Sequence, residues 1–122
     1  MKKQDLESHR KSLDRLVIKP SGRVFFLKPE EIDWIEAVGN YLRLHVGGQV
    51  HLLRETMTNL ESRLNSGKFF RIHRSTMVNL ERIKELHQMF HGDYLVLLHD
   101  NTELTLSRSY RPKLQEILGE SI

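Results

Sequence analysis

The chain has 122 residues, 39% apolar and 29% charged, which suits one soluble domain with a core of its own rather than a disordered segment. It contains no cysteine, which excludes disulfides, cysteine-ligated zinc and thiol catalysis and fits a reducing cytoplasm. No apolar run approaches the roughly 18 residues of a membrane span, and the opening MKKQDLESHRKSLDR lacks the apolar core of a signal peptide, so a cytoplasmic chain without a membrane partner is expected.

The formal net charge is only +3, but its distribution is uneven. Glu30, Glu31, Asp33 and Glu36 form an acidic group. Lys68, Arg71, Arg74, Arg82 and Lys84 gather with only Glu81 among them, and Arg108, Arg111 and Lys113 form a third group with no acid. Such segregation suits a polyanionic partner, although two solvated faces would produce it as well.

Residues 1–14 are polar, with Leu6 and Leu13 the apolar exceptions beyond Met1, and are expected to be a linker or frayed helix ahead of a domain at 15–122. RLVIK (15–19) and RVFFLK (23–28) flank Pro20-Ser21-Gly22 and predict a β-hairpin. Pro29-Glu30-Glu31 suits a single helical turn. IDWIEAV (32–38) predicts a strand, with Ile32, Trp34 and Glu36 on one face and Asp33, Ile35 and Ala37 on the other, so its buried side stays open. After a Gly39-Asn40 turn, YLRLHV (41–46) alternates, with Leu42, Leu44 and Val46 inward. Gly47-Gly48 is a hairpin signal and QVHLLR (49–54) returns.

Between 56 and 66 the period lengthens: Met57, Leu60 and Leu64 predict an amphipathic helix with Thr56 as N-cap and Gly67 as its stop. KFFRIHRSTMVNL (68–80) has an apolar face and a cationic, hydrogen-bonding face. Residues 83–90 look extended, His91-Gly92-Asp93 turns, and YLVLLH (94–99) and TELTLS (102–107) make strands about Asp100-Asn101. SYRPKLQEIL predicts a terminal helix with Leu114, Ile117 and Leu118 on one face. The sum is a β-rich fold built of hairpins.

Candidate chemistry is sparse. His45 and His51 flank the Gly47-Gly48 turn and could approach one another, but no HExxH or carboxylate spacing supports a metal. Ser75 beside His73 is the only hydroxyl–imidazole pair, without a glycine elbow, and no phosphate-binding glycine motif occurs. No catalytic residue, metal or cofactor is expected. Three sets remain: Gly39-Asn40-Tyr41, Arg71 to Ser75, and Ser107 to Arg111. Arginine suits guanine edges, and hydroxyls and Asn suit phosphates or bases. The bland alternative pairs Arg71 and Arg82 with acids such as Glu81. Pattern alone leaves nucleic-acid binding level with a protein-interaction module.

IDWIEAVGNYLRLH (32–45), LLRETMTNLESRL (52–64), FFRIHRSTMVNLERIKEL (69–86) and GDYLVLLHDNTELTLSRSYRPKL (92–114) together resemble the LytTR DNA-binding domain, the output module of many bacterial response regulators. The resemblance spans about 17–118. It implies a mainly β fold: an elongated stack of antiparallel β-sheets with one mid-chain helix and a short C-terminal helix. It implies loops that enter successive major grooves, with Asn40 and Tyr41 in the first. Arg74 is the central base reader with Arg71 and Ser75 in support, and Arg108 and Arg111 follow the last strand. The helix start near Thr56 is a further candidate for a phosphate, and His73 is read as structural as readily as functional. The implied partner is double-stranded DNA, at paired direct repeats, with a homodimer forming on DNA. A receiver domain usually precedes this module. None is present, so the chain is either an excised output domain or a free-standing member.

Overall fold

A computed structural model describes residues 15–64 and 68–122 of the chain. The linker or frayed helix expected at 1–14, and Gly67 as a helix stop, lie outside the described residues. Ten strands and two helices follow one another: β1 (Leu16–Ile18), β2 (Phe25–Leu27), β3 (Trp34–Val38), β4 (Tyr41–Val46), β5 (Gln49–Leu53), α1 (Met57–Arg63), β6 (Phe69–His73), β7 (Thr76–Asn79), β8 (Ile83–Gln88), β9 (Tyr94–Leu98), β10 (Glu103–Leu106) and α2 (Arg111–Leu118). All pairing is antiparallel, in three sheets: β1-β2, β5-β4-β3-β7-β6 and β10-β9-β8. The fold is therefore mainly β, as expected, with antiparallel sheets and two helices.

The five-stranded sheet is the middle layer, and its side chains divide between two cores. Ile35, Leu42, Leu44, Phe69 and Met77 pack on one face with Leu16, Ile18 and Leu27 of the first hairpin and Met57 and Leu60 of α1. Phe70, Ile72 and Val78 pack on the other with Tyr94, Val96, Leu98, Leu104 and Leu106 of the third sheet and Leu114 of α2. The alternation of strand side chains sends Phe69 and Phe70 into different cores. It also explains why β3 shows no single apolar face: Ile35 enters the first core, and Trp34 packs against the second. β4, by contrast, is covered on one face only, and its period-two pattern was readable.

Local chemistry accounts for the turns. Val38 pairs with Tyr41, so Gly39-Asn40 is a two-residue hairpin loop whose first residue has φ +60, a region open to glycine. Pro29–Glu31 forms the expected helical turn. Thr56 caps α1 through Oγ1, which accepts from the Asn59 amide at 3.1 Å, and Met57, Leu60 and Leu64 are buried as their spacing predicts. The helix itself stops at Arg63, short of the predicted 66.

Three expectations need correction. In α2 only Leu114 is buried, while Ile117 and Leu118 are exposed, because this eight-residue helix rests on β6 through a single turn. Residues 83–90 are not extended throughout: β8 ends at Gln88, and 90–92 form a tight turn with His91 and Gly92 at positive φ that leaves Phe90 87% exposed. Arg82 does not join the basic group of the 68–84 segment. Its Nε donates to Asp33 at 2.7 Å and its Nη2 to the Glu30 carbonyl at 2.8 Å, so it neutralises the acidic group instead.

Candidate nucleic-acid interface

The antiparallel registers place the three predicted loops at one end of the stack. Glu36 pairs with Thr76, so the 39–40 turn at the end of β3 lies beside the 74–75 turn that opens β7. The Ala37 amide donates to the Ser75 carbonyl at 2.9 Å, joining those two turns. The Ser107 amide donates to the Ile72 carbonyl at 2.8 Å, which fastens the 107–110 segment to the end of β6. Two backbone hydrogen bonds thus link all three loops through the central one.

Asn40 and Tyr41 are exposed at the first turn. Arg74 is exposed at the second and, among the described residues, makes no ion pair. Ser75 is half-buried, because its amide donates to His73 Nδ1 at 3.2 Å and its hydroxyl lies 3.0 Å from the same nitrogen. The amide fixes Nδ1 as acceptor, which leaves the ring proton on Nε2. His73 shapes the turn rather than projecting from it. Arg71 lies on the α1 side of β6, where Nη1 reaches Glu61 at 3.3 Å and Thr58 Oγ1 at 3.4 Å, and Nη2 donates to the Arg74 carbonyl. Its partner is thus Glu61, and Glu81 instead pairs with Lys68 at 3.1 Å.

Arg108 is exposed and, among the described residues, without an ion pair. Its amide donates to Asp93 at 2.9 Å, and its side-chain stem crosses Gly92. A Cβ at Gly92 would stand 2.8 Å from Arg108 Cδ, at a φ of +84 that already favours glycine. Arg111 is held inward: its guanidinium lies 5.1 Å from the Tyr94 ring centroid and donates to the Ile122 carbonyl oxygen at 2.6 Å.

Two neighbours of these loops escaped sequence reasoning. Arg54 is exposed and follows β5, whose Leu53 pairs with Leu42, so it stands beside Tyr41 across a cleft of about 490 Å³. An arginine one residue past a strand end was the available signal. The 89–93 loop supports Arg108 and carries exposed Met89 and Phe90, and in the sequence its His91-Gly92-Asp93 turn shows only as a connection. At the helix start near Thr56, the further candidate for a phosphate, two amides are already engaged. The Thr56 amide donates to Glu55 at 2.9 Å and the Asn59 amide to Thr56, so oxygens of the chain already occupy them. His45 and His51 do not converge. His45 stacks on Trp34 at 3.8 Å on one face of the sheet, and His51 meets the edge of Phe25 on the other.

The LytTr DNA-binding domain family model matches residues 22–119, most of the chain and all three loops. The chain belongs to this family. It is similar to the sensory transduction protein LytT of Enterococcus faecalis, at 28% identity over 108 residues, covering 88% of this chain and 45% of that protein. It is likewise 28% identical over 104 residues to the transcriptional regulatory protein LytR of Staphylococcus aureus, covering 85% of this chain and 42% of LytR. The chain therefore spans less than half the length of these curated relatives. Among solved structures, the LytTr DNA-binding domain of a putative methyl-accepting/DNA response regulator from Bacillus cereus superposes with a TM-score of 0.80 at 19% identity, over 88% of this chain and 99% of that one. That likeness establishes the LytTR fold.

Proposed function

We propose that the chain binds double-stranded DNA in a sequence-specific manner and serves in bacterial transcription regulation without enzymatic activity of its own. Loops rather than a recognition helix do the reading. Arg74 reads a base edge in the major groove, Asn40, Tyr41 and Ser75 contact the flanks, and Arg108 engages the next stretch of DNA. Arg71 supports the central turn. Arg111 is a secondary contact, since a phosphate must draw it away from Tyr94 and Ile122. The observation that carries this reading is the linkage of three loops through Ala37–Ser75 and Ser107–Ile72, with the exposed arginines Arg74 and Arg108 at one end. Two copies occupy paired direct repeats, and in a longer parent chain a receiver domain precedes residues 15–122.

Selection from random duplex DNA tests the proposal. Enrichment of a repeated motif is expected, and inserting about half a helical turn, roughly 5 bp, between the repeats should weaken joint binding. No enriched motif overturns sequence-specific reading. One feature favours the alternative of a protein-interaction module: Val38, Val50 and Leu52 are exposed on a face of the central sheet. A protein captured at high salt, together with a failed DNA selection, would move the assignment there.

A further inference from the structure

Arg71 is an unusual member of a DNA-facing loop, because its terminal nitrogens all point into the protein. They reach Glu61, Thr58 and the Arg74 carbonyl, and the side chain is only 18% exposed. To grip a phosphate it would have to leave these partners. Glu61 is equally out of place, since a carboxylate close to this end opposes a polyanion. We infer that Glu61 and Arg71 form a brace that sets base specificity by holding the Arg74 turn against α1. The inference rests on the proposed DNA binding and deepens it: Arg71 and Glu61 are positioning residues, neither touching DNA.

The hairpin needs such a support. β6 is an edge strand of the five-stranded sheet, so the ladder holds it from one side only. Its register with β7 also shifts between Arg71 and His73, an irregularity that loosens the pairing just before the turn and re-aims the side chains beyond it. The Ser75 carbonyl is tied to the Ala37 amide, the Ser75 amide to His73 Nδ1 across the turn, and the Ile72 carbonyl to the Ser107 amide, but none of these bonds holds the Arg74 carbonyl. The Arg71 guanidinium does, linking the Arg74 carbonyl to Glu61 on α1. A bidentate arginine–guanine contact tolerates a misplacement of only about 0.5 Å, so a slack turn loses discrimination before it loses affinity.

The test compares Glu61→Gln, Arg71→Lys and Arg71→Met in the full chain, titrated with the selected duplex and its single-base variants over a salt series. Glu61→Gln should reduce discrimination at one base position by roughly tenfold, with an unchanged salt slope and equal or tighter nonspecific binding. Arg71→Lys should fail to rescue, because an ammonium lacks the planar fork that spans two acceptors. Full discrimination in Glu61→Gln overturns the brace. So does rescue by lysine, or a uniform loss in Arg71→Met with a salt slope shallower by about one, which marks a phosphate ligand. Hydrogen exchange in the DNA-free protein gives an independent reading. The Ala37 amide, bound to the Ser75 carbonyl, should exchange faster in Glu61→Gln and Arg71→Lys, and unchanged exchange overturns the brace. A wild-type chain that selects no duplex defeats the proposed function alone, because exchange at Ala37 still decides the brace.

Discussion

The two ends of the central sheet use the same residue types in opposite ways. At one end Arg82 is consumed within the protein: it binds Asp33, and Asp33 also accepts from the Gly47 amide at 2.9 Å. Beside it, Asn79 is fully buried, donating to the Ile32 carbonyl and accepting from the Glu81 amide, both at 3.0 Å. At the other end Arg74 and Arg108 stand exposed, their backbones anchored and their guanidinium groups in no ion pair among the described residues. The chain thus ties one end of the stack together with polar side chains, while at the other end Arg71 and Arg111 are held inward and Arg74 and Arg108 are exposed. An arginine in this protein is informative through its partners, not its presence.

The largest expected effect falls at the tied end. Asn79→Ala removes both side-chain partners at once and should cost about 2–4 kcal/mol of stability, at roughly 1–3 kcal/mol for each orphaned group. Urea denaturation measures it, and DNA affinity per folded molecule should not change. A loss of affinity without a loss of stability would dissolve the distinction between the two ends.

Arg74→Ala should do the converse. It is expected to cost about 1–3 kcal/mol of specific binding and relax one base position, with stability within about 0.5 kcal/mol of wild type because the side chain is exposed. Binding to cognate and mutated duplexes checks the first part and chemical denaturation the second. Wild-type affinity would remove Arg74 as the central reader. Gly92→Ala probes the same end indirectly. The positive φ and the contact with the Arg108 stem should together destabilise by about 1 kcal/mol, while shifting Arg108 and weakening binding. If stability falls and affinity holds, Arg108 does not need its seat on the 89–93 loop.

How much of this was legible in the sequence depends on the range of the interactions. The turns at Gly39-Asn40, Gly47-Gly48 and Asp100-Asn101 were readable because adjacent residues carry their chemistry, and so were the Thr56 cap and the inward face of β4. The Arg82–Asp33 pair joins residues 49 apart, so charge clustering along the chain placed Arg82 in the wrong group. β3 resisted because a strand between two cores has no polar face to mark it. The exposed end of α2 reflects tertiary contact, since Ile117 and Leu118 have the right spacing but only Leu114 reaches the core. In the candidate interface, the family resemblance proposed the loops, yet the inward commitments of Arg71 and Arg111 depend on Glu61, Tyr94 and Ile122, which no local pattern indicates.

The smallest expected effect is a pH dependence that also separates support from surface. The Thr56 backbone amide donates to the Glu55 carboxylate and, with help from the Asn59 side-chain Nδ2 and the Arg63 guanidinium, holds it below the usual glutamate range, against the opposing effect of burial. A carboxyl depressed in the folded state stabilises fully above its unfolded value, and that contribution is lost as pH falls through the folded value. The start of α1 should therefore loosen in acid, below the ordinary glutamate range, and the Thr56 and Asn59 amides should report it by their chemical shifts. Glu55→Gln should remove the transition. Because α1 carries Glu61, loosening of the helix start should pass to the Arg74 turn through Arg71 and leave the Asp33–Gly47 end in place. Simultaneous loosening of both ends in Glu55→Gln and wild type alike would show that Glu55 does not govern the helix start.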